Sequence, residues 1–176
     1  MTGARERLPD TIATPRLTLR APVIGDLAEL VTLANNWNVV GPTAGLPNPY
    51  LEEHGRGFIE RYAHRSDNRP YAIIDAEDRF IGVAGFYFFD TKPAEIGYWL
   101  GEPFWGQGYA PEAVQALLDG ARSAGITEVN ARVLADNPAS VRVLEKCGFT
   151  ITEHTVSVVE RHRGKPLLIL SWSAAS

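Results

Sequence analysis

The segment that most restricts what this chain can fold into is Trp99-Leu100-Gly101-Glu102-Pro103-Phe104-Trp105-Gly106-Gln107-Gly108-Tyr109-Ala110-Pro111-Glu112. A strand-like run ends at Leu100. A helix is predicted from Pro111 to about Ala124, with Val114, Leu117, Leu118 and Ala121 as its apolar stripe. Between them, Gly106 and Gly108 permit positive φ and leave room for a ligand beside the backbone, and Ala110 is small. Pro111 suits a first helical turn, where no N–H is needed. Successive amides from Gly106 to Ala110 then point outward at a helix N-terminus, which suits a phosphate or pyrophosphate. Two other phosphate patterns do not fit. Pro111 stands where a dinucleotide fingerprint needs its third glycine, and Gly-Lys-Ser/Thr is absent. Taken alone, the loop is equally well explained as a plain strand-to-helix turn.

The rest of the chain reads as one α+β (mixed α/β) domain. Its 176 residues, 45% apolar and 22% charged, suffice for one core. Arg16–Arg20 alternates as a first strand, and Asp26 can cap a helix through Leu27, Leu30, Val31 and Ala34. The Asn-, Gly- and Pro-rich stretch Asn35–Tyr50 reads as a long loop or a pair of short helices. It is a candidate substrate wall with Trp37 and Tyr50 embedded in it. A helix over Leu51–Arg65 precedes an antiparallel meander of Tyr71–Ile74, Phe80–Phe89 and Glu95–Leu100. After the glycine loop and its helix come a strand over Glu128–Leu134, a helix over Pro138–Cys147 stopped by Gly148, and strands over Ile151–Arg161 and Leu167–Trp172. The domain is expected over residues 14–172, with residues 1–13 as a flexible tail.

Composition narrows the partners. Cys147 is the one cysteine, so neither an internal disulfide nor a multi-cysteine metal centre is expected, and no metal site is expected. A net charge of −4 argues against nucleic acid. Residues 1–15 lack an apolar signal core, and runs such as Phe86–Phe89 and Leu167–Leu170 are too short to span a bilayer. A cytoplasmic protein, monomer or homodimer, with no membrane partner is expected.

A second segment gives the glycine loop its meaning. Asn137-Pro138-Ala139-Ser140-Val141-Arg142-Val143-Leu144-Glu145-Lys146-Cys147-Gly148-Phe149 follows one strand later, with Asn137 as N-cap, Pro138 as first helical residue and Gly148 as stop. This pair of segments resembles the GNAT N-acetyltransferase superfamily. Residues 105–113 are similar to its acetyl-CoA loop and residues 137–149 to its C-terminal signature. Ile96-Gly97-Tyr98-Trp99-Leu100 is similar to the Rim-type branch, which includes ribosomal-protein N-terminal acetyltransferases. The resemblance implies a mixed, mostly antiparallel sheet of about seven strands with about four helices, splayed where acetyl-CoA inserts.

It also implies an acetyl group passed directly from acetyl-CoA to a primary amine, either a protein N-terminal α-amine or a small-molecule amine. The pyrophosphate would lie on the amides of Gly106, Gln107, Gly108, Tyr109 and Ala110, beside Trp105, which replaces the family's Gln or Arg. Tyr98, Trp99 and Leu100 would pair with the pantetheine arm, and an amide of Trp99 or Leu100 would polarise the thioester carbonyl. Asn137 would bond the pantetheine amide or cap its helix. The tyrosine acid of many relatives is replaced by Leu144, and Ser140 matches the serine that Rim-type relatives place near the sulfur. Glu95 is the candidate base, although alternation sets it on the face opposite Tyr98. The carboxylate that some relatives carry on the next strand is Arg132 here. The acceptor would enter past Glu95, Trp37 and Tyr50. Other readings are a CoA-binding sensor or scaffold without catalysis and a nucleotide-phosphate binder of different chemistry.

Overall fold

The computed structural model describes residues 2–175. It begins with helix α1 (Thr2–Arg7) and strands β1 (Thr11–Ala13) and β2 (Leu17–Arg20). This corrects the expected flexible tail over residues 1–13, of which Met1 lies outside the described residues. Ala4 and Leu8 are buried. Arg5 Nε donates to the Asn68 carbonyl and Arg7 Nε to the Ala124 carbonyl, each at 2.8 Å. The arginines that read as a solvated tail are tethers, and the small apolar residues among them enter the core.

Helices α2 (Leu27–Ala34), α3 (Trp37–Val40) and α4 (Glu52–Glu60) follow. Asp26 does not cap α2 with its side chain. Its carboxylate takes both Arg20 Nη groups at 2.9 and 3.0 Å and the Val23 N–H at 2.9 Å. A bidentate guanidinium is the stronger partner. Then come β3 (Asn68–Asp75), β4 (Phe80–Tyr87), β5 (Ala94–Leu100), α5 (Tyr109–Ser123), β6 (Glu128–Leu134), α6 (Pro138–Lys146), β7 (Thr150–Val156) and β8 (Pro166–Ser173). Among the described residues the sheet has eight strands, against the about seven expected, in the order β1-β2-β3-β4-β5-β6-β8-β7. Among the described residues there are six α-helices, because α1 and the short α3 join the about four expected. Pro70 fits within β3 because β2 pairs only with Ala72–Asp75, so its missing N–H falls beyond that ladder.

Each face of the sheet has its own core. On one, the α5 stripe of Val114, Leu117, Leu118 and Ala121 is fully buried with Leu8 and Leu144 against Tyr71, Ile73, Phe86 and Leu170. On the other, Leu30 and Ala34 of α2 and Ile59 of α4 cover Ala72, Ile74 and Val83. Each large aliphatic side chain buried this way contributes about 1.5–3 kcal/mol.

One seam sets up the site. β4 and β5 stay paired from Tyr87↔Glu95 to Gly82↔Leu100, and β6 and β8 from Glu128↔Ser173 to Leu134↔Leu167. β5 and β6 are parallel and pair only at Ala94↔Val129 and Glu95↔Asn130. Beyond Glu95 each strand follows its other neighbour, and a wedge opens between Ile96–Leu100 and Ala131–Leu134. Its walls carry backbone polar groups without a strand partner, which an extended ligand can satisfy.

Candidate active site

Strand geometry decides which residues face the wedge. The Gly101 N–H donates to the Ile81 carbonyl at 2.8 Å. Backbone polar groups alternate sides along a strand, so Trp99 faces β4, while Tyr98 and Leu100 face the wedge. Trp99 thus has no free amide for a thioester, which corrects one of the two expected donors. Its side chain packs into the second core, edge-on to Phe80 at 6.2 Å. The Leu100 carbonyl takes the Trp105 indole N–H at 2.8 Å. The Leu100 N–H and the Tyr98 backbone remain toward the wedge.

At the open end of β5, Gly106 and Gly108 adopt φ of +74° and +80°. Gly108 is the N-cap, so α5 starts at Tyr109, two residues earlier than Pro111 suggested. Among the described residues, none of the amides from Gly106 to Ala110 donates to a backbone acceptor. A Cβ on Gly106 would meet nothing within 4 Å. These free donors at the positive end of a fifteen-residue helix fit a pyrophosphate. The side chains expected with them hold the loop together: Trp105 ties it to β5, Gln107 Nε2 donates to the Pro103 carbonyl at 3.2 Å, and the Tyr109 ring lies 4.5 Å beneath the Arg16 guanidinium.

Across the wedge, Asn137 caps α6 by accepting the Ser140 N–H at 3.3 Å. The Ser140 hydroxyl lies 2.6 Å from the Tyr98 hydroxyl. Burial pushes the Tyr98 phenol up to about 12, against the smaller downward pull of Ser140, so it stays protonated at neutral pH. The sequence reading named Tyr98 for its backbone and missed its hydroxyl. Leu144 is fully buried and has no proton to give. Cys147 donates its thiol to the Pro111 carbonyl at 3.4 Å, and burial pushes the thiol up. It is poorly suited to be a nucleophile.

Glu95 sits at the last paired position before the wedge, on the face opposite Tyr98. Its Oε1 takes Lys92 Nζ at 3.2 Å and Arg132 Nε at 3.1 Å. Trp37 is 56% exposed. It lines an open cleft of about 330 Å³ with Asn38, Asp136, Asn137 and Lys165. Trp37 and Asn137 thereby line the same cleft. Tyr50 is not part of that wall. It is 3% exposed within the second core, its ring 5.8 Å from His54, and burial pushes its phenol up to about 12. The chain turns inward there to enter α4, and the aromatic ring is buried with it. Also missed was Arg161, which donates to the carbonyls of Val40, Thr43 and Leu46 at 3.0, 3.1 and 2.6 Å and so pins the Trp37 loop. An arginine in a polar turn carries no sequence signal for such a role.

A wedge between parallel strands, an amide cradle at its mouth and a hydroxyl pair along its wall suit an extended ligand with a phosphate-bearing end. Residues 16–150 match the acetyltransferase (GNAT) domain. The chain is 33% identical over 149 residues to the uncharacterized N-acetyltransferase p20 of Bacillus licheniformis, covering 80% of this chain and 82% of that protein. It is 35% identical over 101 residues to the ribosomal-protein-serine acetyltransferase of Escherichia coli (strain K12), covering 56% and 51%. The solved structure of Vibrio cholerae spermidine N-acetyltransferase with CoA and spermine matches with a TM-score of 0.79 at 23% identity, covering 91% of this chain and 96% of that one. The chain belongs to the GNAT acetyltransferase family. It is an N-acetyltransferase that uses acetyl-CoA to acetylate an amine. Among the described residues no group of three His, Cys, Asp or Glu is placed to hold a metal ion.

Proposed function

We propose that the acetyl group passes directly to a primary amine, without an acetylated enzyme, and that the amine enters from the Glu95–Trp37 face. The observation that carries this reading is the 2.6 Å contact between the Tyr98 and Ser140 hydroxyls on the wedge wall. Acetyl-CoA supplies the activated thioester. The amides of Gly106–Ala110 hold the pyrophosphate, the Tyr98 backbone pairs with the pantetheine arm, and the Leu100 N–H polarises the carbonyl. Ser140, oriented by Tyr98 and by the Asn137 cap, hydrogen-bonds the departing thiolate and relays to it a proton that it regains from solvent, to which Glu95 returns the amine's proton. Glu95 faces the acceptor side, where it receives the amine's proton through the carboxylate oxygen that the two cations leave free.

An α-amine, near ~8, loses its proton far more readily than a lysine-type amine near ~10.4. This favours a protein N-terminus or another weakly basic amine, as does the Rim-type character of Ile96–Leu100. The printed names of the relatives, a ribosomal-protein-serine acetyltransferase and a spermidine N-acetyltransferase, support an amine of either kind. Initial rates with acetyl-CoA and amine both varied test the direct transfer. Intersecting lines and an unmodified intact mass are expected. Parallel lines with an acetylated Cys147 would overturn it. In the same assay Glu95→Gln flattens the alkaline rise of kcat/KM, and an unchanged profile removes Glu95 as the base.

A further inference from the structure

The acetyl-CoA loop has a negative charge close behind it. Glu112 lies in the first turn of α5, its side chain 17% exposed. A carboxylate is at home on the positive end of a helix, but it opposes a second anion at that same end. Burial pushes the Glu112 carboxyl up. Hydrogen bonds from Thr14 and Arg16 outweigh that and hold it below the usual carboxylate range, so it is charged at neutral pH.

The neutralising groups come from the turn between β1 and β2, far outside the loop in sequence. The Thr14 hydroxyl and the Arg16 N–H donate to Glu112 Oε2 at 2.5 and 2.9 Å, and Arg16 Nε donates to Oε1 at 2.8 Å. The same guanidinium reaches across the loop. Its Nη1 donates to the Gln107 carbonyl at 2.8 Å, and its plane covers the Tyr109 ring at 4.5 Å. Its Nη2 donates to no protein acceptor among the described residues and lies 3.3 Å from where a Cβ on Gly108 would sit. One side chain thus touches the carboxylate, the loop carbonyl and the first helical ring, and it leaves N–H groups beside the glycine of the amide cradle.

We propose that Arg16 is a positioning and charge-balancing residue for the acetyl-CoA pyrophosphate: it fixes the Gly106–Ala110 loop through Gln107 and cancels the Glu112 charge, so that this helix end stays attractive to phosphate. The proposal rests on acetyl-CoA as co-substrate and not on which amine accepts the acetyl group.

The test compares two acyl donors, acetyl-CoA and S-acetyl-pantetheine, which has the same thioester arm and no pyrophosphate. Arg16→Ala lowers kcat/KM for acetyl-CoA relative to S-acetyl-pantetheine by about tenfold, the scale of one charge-assisted contact. Arg16→Lys, which keeps the charge and loses the fork, falls between wild type and Arg16→Ala. The Arg16→Ala/Glu112→Gln pair recovers most of the loss, because the carboxylate that needed balancing is gone. Calorimetry with CoA alone gives the same order of affinities, which keeps the test independent of turnover and of the acceptor. Equal losses with both donors would make Arg16 a structural residue only. A double variant binding CoA as weakly as Arg16→Ala would refute the charge balance.

Discussion

Removing the Ser140 hydroxyl tests the wedge chemistry most sharply. Ser140→Ala deletes the group that sits 2.6 Å from the Tyr98 phenol and leaves the Asn137 cap in place, since the cap uses the Ser140 backbone N–H. A positioned acid contributes ~10²–10⁴ in rate, and a single hydroxyl belongs at the lower end, so kcat falls by about 10². Tyr98→Phe keeps the buried ring and removes the partner that orients Ser140. A freed hydroxyl spreads over its staggered wells and loses about threefold by orientation, and the loss of the phenol's proton raises the effect to about tenfold. One lost hydrogen bond costs ~0.5–1.5 kcal/mol, which at ~2–4 °C per kcal/mol lowers Tm by roughly 1–6 °C. If the two hydroxyls act as one unit, the double variant is no slower than Ser140→Ala. The assay is steady-state thiol release with saturating amine, and the acetyl-CoA KM should stay within a few fold. Wild-type kcat in Ser140→Ala, or strictly multiplicative losses in the double variant, would refute the reasoning.

The two loop aromatics should behave in opposite ways. Trp37→Ala raises the acceptor KM several-fold and spares the acetyl-CoA KM, whereas Tyr50→Ala removes a buried ring at a cost of about 3–5 kcal/mol, read as a fall in the urea midpoint. A raised acceptor KM in a stable Tyr50→Ala protein would return that residue to the substrate wall. Gly108→Val forces a branched side chain into φ of +80°, and calorimetry should give at least about a tenfold loss of acetyl-CoA affinity; unchanged affinity in a folded protein counts against the cradle. The Glu112 carboxyl is depressed in the folded state, so its contribution is present above the usual carboxyl range near ~4.3 and is lost as pH falls through the lowered value. Glu112→Gln is therefore less stable at pH 7, and the gap to wild type closes on acidification. Parallel stability curves would contradict that.

What the sequence made legible was local. The α5 stripe follows helical period, and Val114, Leu117, Leu118 and Ala121 are all buried. Gly106 and Gly108 were readable as positive-φ positions because little else suits such a loop, and Asn137, Pro138 and Gly148 bracketed α6. What stayed hidden depends on long-range packing. Tyr98 and Ser140 are 42 residues apart, and Arg16 and Glu112 are 96 apart. Alternation correctly put Glu95 opposite Tyr98, but which amides of β5 face the wedge follows from the β4 ladder, and that ladder is invisible in β5 itself. Tyr50 was misassigned because a loop aromatic points inward or outward according to the helices around it. The polar composition of residues 1–13 concealed α1, whose arginines end on carbonyls from distant segments.

Thiol release from acetyl-CoA, followed across a panel of peptide α-amines, polyamines and lysine-type amines, tests the central claim most directly. The account predicts release that depends on the amine, with one acetyl group found on the amine nitrogen for each thiol freed, and a faster reaction with α-amines at neutral pH. Tight CoA binding by calorimetry with no amine-dependent thiol release across the whole panel would contradict it.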